Sequence, residues 1–324
     1  MSIARPSAAP PDSTTNDGHV YRATVGAESA GETVLAFHVA RFRHSTEAGW
    51  LDAIAAGRVL VNGRRTRADA RLAAGDALEF HRPAWQEPEA PTHFDVAFED
   101  EHVLVVVKPP GLQVLPAGPF KARTLLSLVR ASDGTRAAAA PAHRLGRGTS
   151  GLIAFGKTPL GRSALARQLR EFSFGKTYLA CVEGARLRAS FAARERIGRI
   201  AHGPLRIHAV TADGKPSLTR VRVLRRQHAA PEAIPTAVER ALVAAQPITG
   251  RPDQIRIHLA AAGAPIVGDP LFGPGGRPKS DAPPGAGGYL LHSAALSFTH
   301  PVTQRRVRLR SFPEWLGEMF ARSL

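Results

Sequence analysis

The sequence has almost no cysteine, since Cys181 is the only one among 324 residues. A disulfide framework and a cysteine-rich metal site are therefore excluded, and the apolar run TYLACVEG indicates that Cys181 lies in a buried strand. The chain also lacks an apolar run long enough to span a membrane, and its first residues lack the apolar core of a signal peptide. We accordingly expect a soluble, cytoplasmic protein with no membrane partner.

Acidic residues and lysine are also scarce. The chain has 43 Lys and Arg against 27 Asp and Glu, which gives a net charge of +16, and arginine supplies most of the basic residues. Because arginine binds phosphates bidentately and stacks on bases, this balance favours a nucleic acid as partner. A GC-rich genome is an alternative reason for arginine in place of lysine, but it does not explain the excess of positive charge.

The sequence also lacks a pattern that would hold a metal or a phosphate. His143, His258 and His292 do not pair with cysteine or carboxylates at ligand spacing. The glycine-rich stretch GPGGRP lies in a Gly- and Pro-rich loop and does not follow a strand. We therefore expect neither a metal nor a small-molecule cofactor.

Composition divides the chain into four parts. Residues 1–20 are rich in Pro, Ser, Ala and Asp and are predicted to be a disordered tail. Residues 30–82 form a compact unit, and the three prolines of residues 83–93 indicate a linker. Residues 94–324 form the larger domain, and the 44% of hydrophobic residues is enough for both cores.

The compact unit is basic around one turn. A helix with apolar residues at helical spacing ends at Gly57, and RVLVNGRRTRADARLAAGDALEF predicts strands separated by Asn-Gly and Gly-Asp turns. Four arginines cluster at the first turn: Arg58, Arg64, Arg65 and Arg67. The pattern resembles the alpha-L RNA-binding module, so these arginines are candidate RNA contacts. An ordinary αβ unit with a solvated basic face is the alternative.

Five blocks in the larger domain occur in a fixed order. They are KPPGLQVLPAG, HRLGRGTSGLIAFGK, FSFGKTYLACVEG, TGRPDQIRIHLAAAGAPIVGDPLFG and LLHSAALSFTHPVT. Together, over residues 94–318, they resemble the large-subunit-rRNA type of pseudouridine synthase. The resemblance implies an α+β fold with a mixed, mainly antiparallel core and a central cleft. It also implies a monomer that isomerises uridine in structured, ribosomal RNA without cofactor or metal.

The resemblance also assigns site residues. Tyr178 matches the tyrosine that stacks on the flipped base, and Arg256 matches the arginine that pairs with the catalytic carboxylate. Arg144 and Arg147 flank the catalytic loop and match residues that flip or hold RNA, and Lys176 matches a basic position before the tyrosine. The alternatives are a core aromatic for Tyr178, a solvated helix arginine for Arg256, and plain surface charge for the loop arginines.

Two positions depart from this family. The family motif His-Arg-Leu-Asp is His-Arg-Leu-Gly here, so Gly146 stands where the carboxylate is expected. Asp253 stands where the family usually has His, three residues before Arg256 and hence on the same helix face. One hypothesis is that Asp253 replaces the missing carboxylate; the alternative is that it caps the helix after Pro252. Asp269 matches a position that is structural in the family.

The leading interpretation is an RNA pseudouridine synthase that flips its target uridine out of the RNA. The first rival is a catalytically inactive RNA-binding protein, because Gly146 cannot supply a nucleophile. The second rival is another reaction on a flipped base that uses Tyr178 and Arg256 without a carboxylate. The sequence does not identify the RNA or the uridine.

Overall fold

The protein is described here from a computed structural model covering residues 15–42, 45–184, 187–203, 205–227, 239–279 and 287–320. The chain divides into two compact units, Pro11–Pro88 and Glu89–Leu324. None of the helices in the described parts is both long and apolar enough to cross a membrane.

The smaller unit is a four-stranded antiparallel sheet with two helices. Its elements are β1 His19–Thr24, α1 Val34–Arg41, α2 Glu47–Ala55, β2 Val59–Val61, β3 Arg64–Arg65 and β4 Ala77–Arg82. The sheet order is β1-β4-β2-β3. The core lies between sheet and helices, where Trp50 and Phe37 are buried with Val59 and Leu78.

Local signals in the sequence account for these elements. Thr33 and Thr46 cap α1 and α2, since their hydroxyls accept from Ala36 N and Gly49 N. Asn62 and Gly63 both have positive φ, 52° and 75°, which is the geometry of the predicted Asn-Gly hairpin turn. The sequence analysis predicted α2 and the hairpin but not α1.

The beginning of this unit differs from the predicted tail. β1 pairs with β4 from His19 to Arg82, and Thr15 forms a bridge with Gln86. The Asn16 side chain donates to Glu87 over 2.7 Å. The tail prediction is therefore wrong for residues 15–20, because the alternating HVYRAT segment has an exposed strand edge to pair with. Residues 1–14 lie outside the described residues.

The larger unit is built on a ten-stranded sheet and a separate hairpin. Its helices are α3 Leu125–Ser132, α4 Pro159–Arg170, α5 Gln254–Ala261 and α6 Trp315–Phe320. Its first strands are β5 Asp95–Glu99, β6 Val103–Lys108, β7 Ala140–Pro141, β8 Ser150–Gly156, β9 Gly175–Glu183 and β10 Ser190–Ala193. The remaining strands are β11 Ile197–His202, β12 Leu205–Val210, β13 Thr219–Gln227, β14 Arg240–Pro247, β15 Leu291–Thr299 and β16 Arg306–Arg310.

The sheet order is β10-β13-β14-β9-β15-β8-β6-β5, with β16 on β15 and β7 on β8, while β11 and β12 form a separate two-stranded sheet. The β15–β8 pair is parallel, and the other pairs of the sheet are antiparallel. This confirms the predicted α+β class with a mixed, mainly antiparallel core.

Both faces of the sheet centre are covered. In β6, Leu104 and Val106 point into one hydrophobic cluster, and Val103 and Val105 point into another. An unbroken run of apolar residues is expected for a strand that is buried on two sides. The long apolar segments of the sequence therefore form the middle of the sheet. The polar side chains are left to the loops that connect its strands.

The parallel pair needs a glycine. Gly151 has φ +101°, and a Cβ there would lie 2.4 Å from the carbonyl oxygen of Ser293. Only glycine permits this approach of β8 to β15. The loop before β8 is thereby held beside the residues that precede β15.

Candidate active site

A cleft of about 590 Å³ lies beside the central strands β9 and β15 of the large sheet. Its walls come from the loop before β8, the segment between β14 and α5, the start of β9 and the residues before β15. The volume falls within the usual range for small-molecule and nucleotide-sized sites. Four of the predicted loop and helix residues line it together: Arg144, Gly146, Asp253 and Arg256.

A buried lysine fixes the loop before β8. Lys108 has no exposed surface, and its Nζ donates to the carbonyl oxygens of Pro109, Leu112 and Arg147 over 2.8, 2.8 and 3.0 Å. Burial, followed by the charge of Arg147, lowers the pKa of Lys108 to about 7. Gly111 N also donates to Arg147 O, so two loops are joined at one carbonyl.

The space beside Gly146 is occupied by a tyrosine. A Cβ at Gly146 would lie 2.7 Å from the Tyr289 hydroxyl and 3.4 Å from Thr149 Oγ1. The φ of Gly146 is outside the left-handed region, so the backbone alone does not require glycine. The Tyr289 hydroxyl lies 3.1 Å from Thr149 Oγ1, and burial raises the pKa of Tyr289, with Arg256 opposing this in part. A neutral phenol thus lies where a side chain at position 146 would extend.

Arg256 is buried and paired on two sides. Its Nε and Nη2 donate to the two carboxylate oxygens of Asp269, each over 2.8 Å, and its Nη1 donates to Asp253 over 2.7 Å. Its guanidinium carbon also lies 4.3 Å from the centre of the Tyr289 ring. Burial disfavours its charge, but the carboxylates outweigh burial and raise the pKa of Arg256. The interpretation of Arg256 as a solvated helix residue is therefore wrong.

The two carboxylates on Arg256 have different surroundings. The Asp269 side chain is 1% exposed, and its Oδ1 also accepts from the backbone N–H groups of Leu271 and Phe272. The Asp253 side chain is 33% exposed and lines the cleft. Asp269 is therefore saturated with donors, while Asp253 presents a carboxylate to the cleft.

Asp253 does not cap α5 as the alternative interpretation required. It precedes the helix with φ +53°, in the left-handed region, and its side chain makes no capping hydrogen bond. The carboxylate turns instead to Arg256, which gives the ion pair that the three-residue spacing predicts. A left-handed residue other than glycine costs conformational free energy, and such positions cluster at functional sites.

Tyr178 is both a core residue and a cleft residue. It lies in β9, is almost fully buried, and contributes to the main hydrophobic cluster as well as to the cleft wall. Burial raises the pKa of Tyr178 to about 12, and the neighbouring Ser293 hydroxyl opposes the shift. Lys176, two residues earlier, also lines the cleft, and burial lowers its pKa.

The side chains of the loop before β8 differ in exposure and in their contacts. Arg144 is exposed at the cleft, while Arg147 is partly buried with its guanidinium carbon 5.4 Å from the Phe120 ring. Burial, assisted by the charge of Lys176, lowers the pKa of His143 to about 3. His143 Nε2 accepts from Ala154 N over 3.3 Å, so this histidine is neutral and serves as a structural acceptor.

The four arginines of the smaller unit that are candidate RNA contacts lie at or next to its hairpin. Arg64 and Arg65 are exposed in β3, and Arg67 is exposed and paired with Asp69 over 3.1 Å. Arg58 is partly buried before β2. The arrangement leaves a basic edge on the turn that the sequence analysis identified.

Sequence reasoning missed Tyr289 and Lys108 as site residues. Tyr289 follows a Gly-rich stretch, and no local pattern indicates that it reaches position 146 across 143 residues of chain. Lys108 offered a signal, because it is a charged residue at the end of the apolar strand VLVVVK. A lysine in such a run is buried only where acceptors surround it.

Comparison with known proteins gives concordant results. The family described as RNA pseudouridylate synthase matches residues 102–261. An uncharacterized RNA pseudouridine synthase of Synechocystis is 38% identical over 279 residues, covering 85% of this chain and 92% of the relative. Ribosomal large subunit pseudouridine synthase C of Escherichia coli is 33% identical over 269 residues, covering 79% and 81%.

A solved structure gives the same fold. The structure of human RNA pseudouridylate synthase domain containing 1 superposes with a TM-score of 0.56 at 24% identity, over 72% of this chain and 89% of that one. RNA pseudouridine synthase 5 of Oryza sativa subsp. japonica is 32% identical over 351 residues, covering 91% and 86%. By these identities and coverages, the chain belongs to the RNA pseudouridine synthase family.

Proposed function

We propose that this protein isomerises uridine to pseudouridine in a structured, ribosomal RNA, and that Asp253 supplies the carboxylate of the reaction. The observation that carries the proposal is the composition of the cleft wall. Among the described residues that line the cleft, Asp253 is the sole carboxylate. It is held by Arg256 at 2.7 Å, and it faces the space that a flipped nucleotide would fill.

The cleft suits a flipped base. A uridine within folded RNA is inaccessible to a buried site, so it must leave the stack before reaction. Tyr178 offers an aromatic wall, and Arg144, Arg147 and Lys176 bring positive charge to the same cleft. In the smaller unit, Arg58, Arg64, Arg65 and Arg67 would contact the RNA backbone.

The reaction needs one carboxylate at the sugar. In one route, Asp253 attacks the anomeric carbon and displaces uracil through N1; in the other, it removes a ribose proton and opens the same bond. The uracil then turns and its C5 bonds to the same ribose carbon; this displaces the carboxylate of Asp253 in the first route, and Asp253 returns the ribose proton in the second. The freed carboxylate of Asp253 takes the C5 proton, and N1 takes up a proton from water, so the net change is an isomerisation. The guanidinium of Arg256 orients Asp253 and stabilises its charge. His143 and Tyr289 are neutral and take no proton from the base at pH 7.

A second function is favoured by one observation. The Tyr289 hydroxyl fills the place beside Gly146, so the cleft has no room there for the carboxylate of the family motif. If Asp253 is only the structural partner of Arg256, the protein binds RNA without isomerising it.

Tritium release from RNA labelled at uracil C5 separates the two functions. Purified protein is incubated with ribosomal RNA from a strain that lacks the gene. We expect release by the native protein and a loss of several powers of ten in Asp253→Asn, since removing a nucleophile commonly costs that much. Release that survives in Asp253→Asn contradicts the role of Asp253.

Matched variants control this experiment. Asp213→Asn changes an exposed carboxylate that does not line the cleft, and it should release tritium at the native rate. Gly146→Asp combined with Tyr289→Phe restores the carboxylate of the motif and removes the hydroxyl that blocks it. No release by native protein, together with release by this double variant, would identify an RNA-binding protein without activity.

A further inference from the structure

A second groove, of about 660 Å³, adjoins the cleft. The two share part of their walls, namely Leu169, Phe172, Lys176, Pro247 and Ile248. The groove then runs away from the cleft along β15 and the edge strand β16. A chain that enters the cleft can therefore continue into the groove without leaving the surface of this unit.

The charged residues that line the described part of the groove are all basic. Among the described residues that line it, Lys176, Arg308 and Arg310 are basic, and no carboxylate is present. Along β16 the basic side chains alternate with Val307 and Leu309, which pack towards the core. The strand pleat therefore presents its arginines on one face, with about 7 Å between successive ones.

Arg308 and Arg310 are available to a ligand. Their neighbour Arg306 is tied to the groove wall, since it donates to Ser173 O over 3.0 Å and to Ser297 Oγ over 2.9 Å. Within the described part of the chain, Arg308 and Arg310 are exposed and make no hydrogen bond or ion pair. Two unpaired guanidinium groups beside a cleft for RNA are suited to phosphates.

Phe172 stands on the rim that the cleft and the groove share. It is 67% exposed, although burial of such a ring is favourable. It directly follows the cap of α4 with φ +57°, in a position where glycine is the residue of least strain. Neither burial nor backbone preference explains a phenylalanine here. An exposed ring on a basic surface is the usual platform on which an unpaired base stacks.

We propose that the groove binds an unpaired segment of the RNA that directly adjoins the flipped nucleotide. Phe172 stacks on one base of this segment, and Arg308 and Arg310 contact its phosphates. This inference rests on the proposed function for the identity of the neighbouring nucleotide. A protein segment is a poorer fit, because the groove residues that the structure describes supply cations and a ring for stacking but no carboxylate for a basic partner.

The chain offers a matched pair of variants for the test. Phe172 and Phe312 are both 67% exposed, and only Phe172 lines the groove. A fluorescently labelled, unstructured ten-nucleotide RNA containing one uridine is titrated with the full chain, and binding is followed by anisotropy. Phe172→Ala should weaken binding roughly 5- to 100-fold, as loss of one base–aromatic stack does. Phe172→Trp should retain the affinity, and Phe312→Ala should match the native protein.

The salt dependence of binding tests Arg308 and Arg310 separately. Arg308→Gln and Arg310→Gln should each lower the slope of log affinity against log salt by about 0.7. Arg222→Gln, an exposed arginine of β13 outside the groove, is the control. An unchanged affinity in Phe172→Ala, or unchanged salt slopes in both arginine variants, overturns the proposal. In that case, the groove would be left as a surface for a protein segment.

Failure of the proposed function is distinguishable from failure of this inference. The binding titration does not depend on isomerisation, and the tritium comparison of native protein with Asp253→Asn leaves Phe172 unchanged in both proteins. No tritium release with a Phe172-dependent affinity would leave the groove as an RNA site on an inactive protein. Tritium release with no effect of Phe172→Ala on affinity would retain the isomerase and reject the groove.

Discussion

The two walls of the cleft differ in how their charges are arranged. The loop wall, residues 143–149, carries no carboxylate, and a neutral phenol from Tyr289 occupies the space beside Gly146. The helix wall, residues 251–256, carries Arg256 with a carboxylate on each side. Packing of Tyr289 against Gly146 therefore stabilises the loop wall, and the ion pairs of Arg256 stabilise the helix wall.

This difference explains how the chain tolerates glycine in the motif. A buried guanidinium that loses its partner is strongly destabilising. Arg256 has no such deficit, because Asp269 holds it bidentately and Asp253 holds its third nitrogen. The charge of Arg256 is therefore balanced without a carboxylate at position 146.

Removing Arg256 should break the helix wall and have the largest effect on stability. Arg256→Met leaves the buried carboxylate of Asp269 without its partner, and we expect a loss of about 3–5 kcal/mol in the free energy of unfolding. Urea denaturation measures it. Arg256→Lys keeps the charge but not the bidentate geometry and should lose less. Equal stability of Arg256→Met and the native protein would mean that the charges of this wall are not coupled.

Removing Lys108 tests the support of the loop wall. Lys108→Met removes the Nζ donor that the carbonyl oxygens of Pro109, Leu112 and Arg147 share. Near pH 10 the neutral amine still supplies two N–H groups, and we expect a loss of roughly 2 kcal/mol in the free energy of unfolding. Tritium release should also fall, because the loop that contains Gly146 is no longer anchored. A variant as stable and as active as the native protein at this pH would contradict the role of Lys108.

The stability difference between the native protein and Lys108→Met should depend on pH, and the pKa of Lys108 gives the sign. The pKa of Lys108 is about 7 in the folded protein, below the value of 10.5 for an unperturbed lysine. The unfolded chain therefore binds more protons between these values, so stability from this group rises with pH from about 7 to 10.5. The slope is at most about 1.4 kcal/mol per pH unit. The difference in stability between native protein and Lys108→Met should grow over this window, as urea denaturation at several pH values would show.

A double-mutant cycle sharpens the account of the loop wall. Gly146→Ala alone places a methyl group 2.7 Å from the Tyr289 hydroxyl and should cost about 1–3 kcal/mol of stability. In the Tyr289→Phe background the same change should cost less, with a coupling of about 0.5–3 kcal/mol. Additive effects in the cycle would show that Tyr289 does not determine the residue at position 146.

The smallest expected effect on stability is that of Asp253→Asn, which separates the role of Asp253 from that of Asp269. Asp253→Asn should change the free energy of unfolding by less than about 1 kcal/mol, since the pair is partly exposed and Arg256 keeps Asp269. Asparagine also tolerates the left-handed backbone. Thermal denaturation of this variant, beside its tritium release, tests whether Asp253 serves chemistry more than stability.

Local patterns account for several elements of the large domain. The apolar segment VLVVVK forms β6 over Val103–Lys108, and the side chain of Thr158, just before Pro159, accepts from Gly161 N at the start of α4. Capping and periodicity depend on residues close in sequence, so they can be inferred from one chain. The pair of Asp253 and Arg256 was found for the same reason.

Long-range contacts explain what was missed. Tyr289 meets Gly146 only because the parallel pairing of β8 and β15 brings distant segments together. The order of residues 15–20 likewise depends on strand β4, more than 60 positions later. No local propensity contains this information, since it depends on how the sheet is assembled.

The contact between Gly146 and Tyr289 also makes the two positions unequal as sites of substitution. A side chain at position 146 would place its Cβ 2.7 Å from the phenol, so Tyr289 has to move or be replaced to admit it. A smaller residue at position 289 meets no such obstacle while position 146 is glycine. Substitution at position 289 is therefore permissive for position 146, and the reverse does not hold.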